Sequence, residues 1–377
     1  MSAHPIVIIG AGLAGAATAW ALARRGRDVV LLERSTPANE FGSSHGSARI
    51  FRYTYPDPFY TELVREARGG WDDLENESAQ RLISSAGALD FGALRNPAGL
   101  AAVLAANDVA HELLSVREAS QRWPGISFDG PVLWHEGAGV IDAESAVKAM
   151  VHLAVRLGAQ LRHDWVASRV SRDGDGYVVE SESGDSVVAS QVVVAAGGWL
   201  PALLDRLDLP AEALDRFPPL EVRQEQALHF PYRDPDGDWP TFIHKGADIQ
   251  VYGLPGGRDA DFRGQKVAEY NGGPVIGSAL QHDRVIDGAR RDRVVDYVAR
   301  TLPGLVPEPY AETTCLFTNA PDDDFIIDRV EGITILSPCS GHGAKFAPLL
   351  GELAARLVTG EDAGLPRFRP LAALAGA

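Results

Sequence analysis

The sequence predicts an α/β chain in which a doubly wound parallel-sheet domain is interleaved with a mixed-sheet α+β domain. Three observations lead there. Pro5-Ile6-Val7-Ile8-Ile9 is a short, β-branched apolar run of the kind that forms a buried parallel strand, and it feeds directly into Gly10-Ala11-Gly12-Leu13-Ala14-Gly15 and an Ala-rich, Pro-free stretch. A second buried run, Val192-Val193-Val194-Ala195-Ala196-Gly197-Gly198-Trp199, arrives only after a long interruption. From about 220 to 310 the apolar residues alternate, with Gly and Pro between, as in antiparallel sheet.

The elements follow in order. Residues 16–25 read as a helix ended by Gly26, and Val29-Val30-Leu31-Leu32 as a strand that delivers Glu33 at its carboxyl edge. Residues 38–48 are small and polar and read as a loop; 59–74 are amphipathic and read as a helix. Residues 143–157 read as a helix with Asp142 as its N-cap, followed by a strand at 158–162. Residues 176–181 and 186–190 read as paired strands, and 222–230, 249–253 and 266–270 as strands of the alternating region. The chain then returns to buried strands at 325–328 and 333–336 and a helix running to about 357, with a frayed surface tail after Gly360. This order predicts one domain from 1–85, 150–219 and 318–377 and another from 86–149 and 220–317.

Composition narrows the function. The chain has 377 residues, enough for two domains, and 51 acidic against 35 basic residues give a net charge of −16, a field that repels nucleic acid. Two cysteines, Cys315 and Cys339, supply neither a disulfide framework nor a Cys-rich metal site, so no metal is expected. The start Met-Ser-Ala-His-Pro carries no basic leader and no apolar run reaches the length of a membrane span, so a cytoplasmic location is expected. Only four of the basic residues are lysines: Lys148, Lys245, Lys266 and Lys345.

Gly10-x-Gly12-x-x-Gly15, placed after a strand and opening a helix, is a Rossmann-like dinucleotide fingerprint. Gly10 permits the tight turn, Gly12 the approach of a pyrophosphate, and Gly15 close packing of helix on sheet. The helix N-terminus offers unpaired N–H groups to the phosphates, and Glu33 can accept the ribose hydroxyls. A carboxylate there favours FAD or NAD over NADP, and the long interruption before the second buried strand favours FAD.

Further blocks lie in sequence order: Gly42-Ser43-Ser44-His45-Gly46-Ser47-Ala48-Arg49-Ile50-Phe51-Arg52, Arg122-Trp123-Pro124-Gly125-Ile126, Ala196-Gly197-Gly198-Trp199, Cys315, Phe325-Ile326-Ile327-Asp328 and Ser340-Gly341-His342-Gly343-Ala344-Lys345-Phe346. With the fingerprint, they make the chain resemble, almost end to end, the monomeric sarcosine oxidase and N-methyltryptophan oxidase group of the D-amino-acid-oxidase-like flavoprotein family. The resemblance implies a glutathione-reductase-like FAD fold and an oxidase of a secondary amine or amino acid. Hydride would pass to flavin N5 to give an imine, and O2 would reoxidise the flavin to give H2O2. A monomer acting on a small molecule, with no nucleic acid or membrane partner, is expected.

The same resemblance implies roles. Cys315 matches the cysteine joined to the flavin 8α carbon; its own chemistry fits equally a buried apolar thiol. Cys339 has no counterpart and reads as structural. Arg34, Ser44, Val166, Gly197, Trp199, Gly341, His342 and Gly343 are expected around the cofactor, with His45 and Arg49 against the ring. Arg52 and Lys345 match the pair that holds the substrate carboxylate, Tyr252 is a pocket aromatic, and Lys266 matches the lysine above N5 that favours electron transfer to oxygen. Departures mark the substrate: Ala344, Phe317 and Tyr270 replace the Phe, Tyr and His of sarcosine-type enzymes, and the loop reads Ser-Ser-His-Gly-Ser-Ala-Arg for Ser-His-His-Gly-Asp-Thr-Arg. A roomier, less polar pocket for something bulkier than sarcosine is expected. The alternative is a dehydrogenase or tailoring enzyme that passes electrons to an acceptor other than O2.

Overall fold

A computed structural model describes residues 4–361 and 365–371. The organising element is a six-stranded sheet in the spatial order Ile326–Val330, Ile333–Ser337, Gln191–Val194, Ile6–Ile9, Val29–Leu32 and Gln160–Arg162, parallel except for its first strand. Its strands come from segments far apart in the chain. Every residue of the two opening strands is buried because the sheet is covered on both faces, and successive side chains enter different cores. Ile8 and Leu31 pack among helices, whereas Val7, Ile9 and Val30 pack against the antiparallel strands Ala167–Asp173, Gly176–Ser181 and Ser186–Ala189.

The helical face is built from Leu13–Arg24, Pro58–Ser78, Ala143–Arg156 and Ala347–Thr359. The opening helix starts at Leu13, earlier than its Ala-rich stretch suggested, because Gly12 already caps it. Pro58 sits in the first turn of the next helix, where its missing N–H costs nothing, and Asp57 caps it by accepting from Phe59 N–H at 3.0 Å. Asp142 caps the third by accepting from Ser145 N–H at 2.9 Å. The final helix begins at Ala347; Gly343–Phe346 ahead of it is a 3₁₀ turn, so the Ser340–Lys345 motif is turn and not α-helix. Gly351 brings this helix against the opening one, since a Cβ there would overlap the Ala17 backbone.

The second sheet has nine strands. Eight run in the order Val275–Ile276, Glu221–Pro231, Gly264–Glu269, Gln250–Pro255, Thr241–Lys245, Ala88–Phe91, Val132–His135 and Glu112–Leu114, and Ala311–Asn319 pairs with Glu221–Pro231. Ala88–Phe91 joins Thr241–Lys245 in parallel, with Asp90 opposite Ile243. A small third sheet, Arg49–Phe51, Gly139–Ile141 and Ile83–Ser85, carries Arg49 at its edge.

Two further expectations need correction. The region 220–310 is not sheet throughout: Gly288–Thr301 is an amphipathic helix capped by Asp287, which packs Val294, Tyr297 and Val298 onto the second sheet. The tail after Gly360 is anchored where it is described. Phe368 is fully buried, and Arg367 pairs with Asp57 at 2.5 Å and Asp324 at 2.6 Å. Residues 362–364 and 372–377 lie outside the described residues. Among the described residues no helix is long and apolar enough to cross a membrane.

Gly351→Val should cost about 1–3 kcal/mol by overpacking the contact between the first and last helices. Denaturant unfolding of the purified protein checks this, with a shifted midpoint at unchanged slope expected.

Candidate active site

A cavity of about 830 Å³ opens beyond the carboxyl ends of the parallel strands, bounded on its far side by the second sheet. Crevices at this position are where open α/β sheets bind ligands, and the volume lies near the top of the roughly 300–1,000 Å³ of small-molecule and cofactor sites. Gly10, Gly12, Glu33, Arg34, Ser44, Arg49, Arg52, Val166, Gly197, Trp199, Tyr252, Lys266, Tyr270, Cys315, Gly341, His342, Gly343 and Lys345 all line it. Two expected residues do not. Gly15 serves packing alone, since a Cβ there would overlap the Gly10 carbonyl. His45 is turned away: its Nδ1 lies 2.8 Å from the Gly42 carbonyl, and it is absent from the cavity wall.

At one end Gly10 holds a φ of +101°, which brings its backbone so close to Ala195 that no side chain fits. The buried Glu33 accepts from Ala11 N–H at 2.8 Å through Oε2, and from Ser35 N–H at 3.1 Å and Asn39 Nδ2 at 3.0 Å through Oε1. Burial raises its pKa and these backbone bonds pull it back down. The carboxylate is thus fixed against the glycine turn, beside Asn39, a second polar group that sequence reasoning passed over. Leu13 N–H is met by Ser44 Oγ at 3.0 Å, and the Arg34 guanidinium stacks over Trp199 at 4.4 Å.

In the middle of the cavity stand Cys315, Lys266 and Tyr252, brought together by pairing in the second sheet, and Arg49 from the edge of the third. Arg49 donates to the Ala48, Ser43 and His45 carbonyls at 2.9 Å each. Lys266 is buried, reaches only the Ala48 carbonyl at 3.5 Å, and has its pKa lowered to about 8 by burial first and Arg49 second. Burial pushes the Cys315 thiol up, while Arg49 and Lys266 pull it down by favouring the thiolate. Cys339 also reaches the wall, its thiol raised to about 11 by burial.

The other end is a chain of hydrogen bonds. Lys345 donates to the Tyr55 hydroxyl at 3.0 Å and to the His342 carbonyl at 2.7 Å, which leaves a third donor for a ligand. His342 Nε2 faces the Asp323 carbonyl at 2.9 Å, and its Nδ1 lies 3.1 Å from the Tyr55 hydroxyl. Burial first and Lys345 second lower its pKa to about 3, so the ring is neutral; the carbonyl requires Nε2–H, which assigns Nδ1 as the acceptor from Tyr55. Arg52 donates to the Thr54 hydroxyl at 3.1 Å and to the Thr54 carbonyl, and lies over the Tyr55 ring at 4.7 Å. Burial first and Arg52 second drive the Lys345 pKa well below its usual value. Among the described residues neither Arg52 nor Lys345 has a carboxylate within ion-pairing distance.

Sequence reasoning missed Tyr55, Arg95 and Lys245 on this wall. Arg95 pairs with the fully buried Asp90 at 2.5 Å. Lysine scarcity was the available signal: Lys148 makes an exposed pair with Glu144 one turn away, and the other three lysines all line the cavity. The expectation of a less polar pocket did not include these added charges, Arg95 and Lys245.

A family model described as "DAO: FAD dependent oxidoreductase" matches residues 5–357. The monomeric sarcosine oxidase of Streptomyces avermitilis is 30% identical over 376 residues, 96% of this chain and 95% of that one. The N-methyl-L-tryptophan oxidase of Escherichia coli O157:H7 is 31% identical over 377 residues, 93% of this chain and 94% of that one. The chain belongs to the DAO family of FAD-dependent oxidoreductases. Among solved structures, NikD in its open form, described as an unusual amino acid oxidase essential for nikkomycin biosynthesis, superposes with a TM-score of 0.86 at 24% identity, covering 97% of both chains. The L-proline dehydrogenase from P. horikoshii gives 0.83 at 20% identity, covering 99% of this chain and 98% of that one. These two likenesses concern the fold.

The residues fit FAD. The turn is a cradle with no room for a Cβ, the cavity continues past it, and Glu33, Asn39 and Arg34 form the donor and acceptor set a ribosyl dinucleotide needs.

Imidazole pKa values of about 4 for His45 and about 3 for His342 mean that neither ring takes a proton above pH 5. Their ring-proton resonances should therefore hold constant between pH 5 and 8; a titration midpoint near the ordinary ~6.5 would contradict the assigned bonding.

Proposed function

We propose that the chain is an FAD-dependent oxidase of a secondary amino acid, N-methylated or cyclic and larger than sarcosine, with O2 as electron acceptor. The observation that carries this is the half-buried Arg52 and the buried Lys345, two cations with donors to spare and, among the described residues, no carboxylate to pair with, on the wall of a cavity that begins at a dinucleotide cradle. A planar guanidinium beside an ammonium suits a substrate carboxylate. The relatives named above, one acting on sarcosine and one on N-methyl-L-tryptophan, support a substrate of this class.

FAD, when bound, accepts the two electrons that turn the amine into an imine, which water hydrolyses, and passes them to O2 to give H2O2. The chain's own residues set the conditions. Tyr252 is pushed above its usual range by burial and Tyr270 to about 12, while His342 is engaged on both nitrogens, so none of them is a base near neutral pH. A base is not needed, because the cations that hold the carboxylate also disfavour an ammonium beside them and select the neutral amine. Arg49 and Lys266 place positive charge midway along the cavity, where it stabilises an anion formed on reduction of the ring or of oxygen. Gly341, with a Cβ position only 3.1 Å from the Phe317 and Tyr270 rings, lets those rings close the pocket.

Peroxide release over a panel of N-methyl and cyclic amino acids tests the reading directly. Electron delivery to a dye without peroxide would instead establish a dehydrogenase. Cys315, buried against the same cavity and within the electrostatic influence of Arg49 and Lys266, is proposed as the covalent anchor of FAD. Acid precipitation should leave yellow colour on the protein, and Cys315→Ala should release all of it to the supernatant.

Lys266→Met should slow reoxidation by oxygen by ~10²-fold or more while anaerobic reduction changes little. Because its ammonium is the useful form and its pKa is about 8, the wild-type reoxidation rate should fall as pH rises through that value. Stopped-flow measurement of the two half-reactions separates these effects; equal losses in both would refute the role.

A further inference from the structure

The antiparallel strands Thr241–Lys245 and Gln250–Pro255 lay one face along the substrate end of the cavity. Because side chains alternate along a strand, Ile243 and Lys245 share that face, as do Gln250 and Tyr252 on the partner strand. The register pairs Ile243 with Tyr252 and Lys245 with Gln250. The ribbon thus offers an apolar step followed by a polar one. All four side chains line the cavity.

Among the described residues neither the Lys245 ammonium nor the Gln250 amide has a hydrogen-bond or ion-pair partner. The surroundings of Lys245 are cationic: Arg95 and Arg52 both depress its pKa, after burial, against weaker opposite effects of Asp323 and Asp90. Asp90 is already committed to Arg95 at 2.5 Å. Arg52, Arg95, Lys245 and Lys345 outnumber Asp90 and Asp323 by two, and one substrate carboxylate against Arg52 and Lys345 still leaves a positive charge in excess. A lysine in a chain that otherwise builds its positive surface from arginine, held half-buried with free donors next to other cations, is costly unless an anion meets it.

We propose that Lys245 and Gln250 form a second acid-binding subsite, and that the substrate is a dicarboxylic secondary amino acid. Its α-carboxylate lies at Arg52 and Lys345, its aliphatic spacer runs over Tyr252 and Ile243, and its distal carboxylate reaches the Lys245 ammonium and the Gln250 amide. The assignment of the α-carboxylate rests on the function proposed above; the second subsite stands on its own geometry.

The test uses the FAD-loaded protein and calorimetric titration with glutarate and butyrate, which differ only in the distal carboxylate. Glutarate should bind roughly 10- to 100-fold more tightly than butyrate. Lys245→Met should bring that ratio close to one, and Gln250→Leu should give an intermediate ratio. An equal ratio in wild type and Lys245→Met, or butyrate binding as tightly as glutarate in wild type, overturns the subsite. Anaerobic mixing with N-methylglutamate and N-methylnorvaline separates the two proposals. Loss of the glutarate preference in Lys245→Met with no bleaching by either amine supports the subsite and refutes the oxidase reading. Bleaching by both at equal rates, with no glutarate preference, does the reverse.

Discussion

Positive charge enclosed in the cavity without a paired carboxylate is the constraint on which the site depends. In a chain of net charge −16, Arg49, Arg52 and the buried Lys266 and Lys345 line one cavity and are held largely by backbone carbonyls and hydroxyls, not carboxylates. Carbonyl dipoles fix the position of a cation without neutralising it, so each remains able to attract an anion, and each lowers its neighbours' affinity for protons. Such an arrangement is expensive in a ligand-free protein and is relieved by ligands that are themselves anionic. On the function proposed above, a pyrophosphate at the glycine turn, a reduced cofactor and a substrate carboxylate would meet that requirement.

The fold makes this gathering possible by separating two tasks. The parallel sheet, covered on both faces, is rigid and apolar, and places the glycine turn and Glu33 at its carboxyl edge. The second sheet carries cavity-lining side chains: Cys315 pairs opposite Glu225, Lys266 opposite His229 and Leu254, and Lys245 opposite Gln250. The loop running into Arg49–Phe51 crosses between them, so Arg49 and Arg52 face side chains more than two hundred residues away.

What the sequence made legible was local. A strand, a glycine turn, a helix and the carboxylate of Glu33 follow from patterns within thirty residues, and their structure agrees with that reading in all but the helix start. Cys315, Lys266 and Lys345 were reached through resemblance, because nothing local distinguishes a ligand-facing lysine from a surface one. Lys245 and Arg95 were not reached at all. Their proximity exists only because Ala88–Phe91 pairs with Thr241–Lys245, a register fixed by side-chain packing over more than a hundred intervening residues. Gly288–Thr301 was hidden by the alternating strands around it, although Asp287 and its charged face are ordinary helix signals. His45 shows the opposite error, a motif position whose side chain the loop turns inward to its own backbone.

Proton uptake on carboxylate binding tests the central claim most directly, since only a buried, charge-starved lysine would recruit a proton along with an anion. Calorimetry of acetate binding to the FAD-loaded protein near pH 9, in buffers of different ionisation enthalpy, gives the number. Burial and Arg52 hold Lys345 well below the usual lysine pKa, and a carboxylate opposite it favours the ammonium. Net proton uptake is predicted in wild type and its reduction or loss in Lys345→Met. Binding with no change in protonation, or with proton release, would contradict the claim that the cavity's cations await an anion.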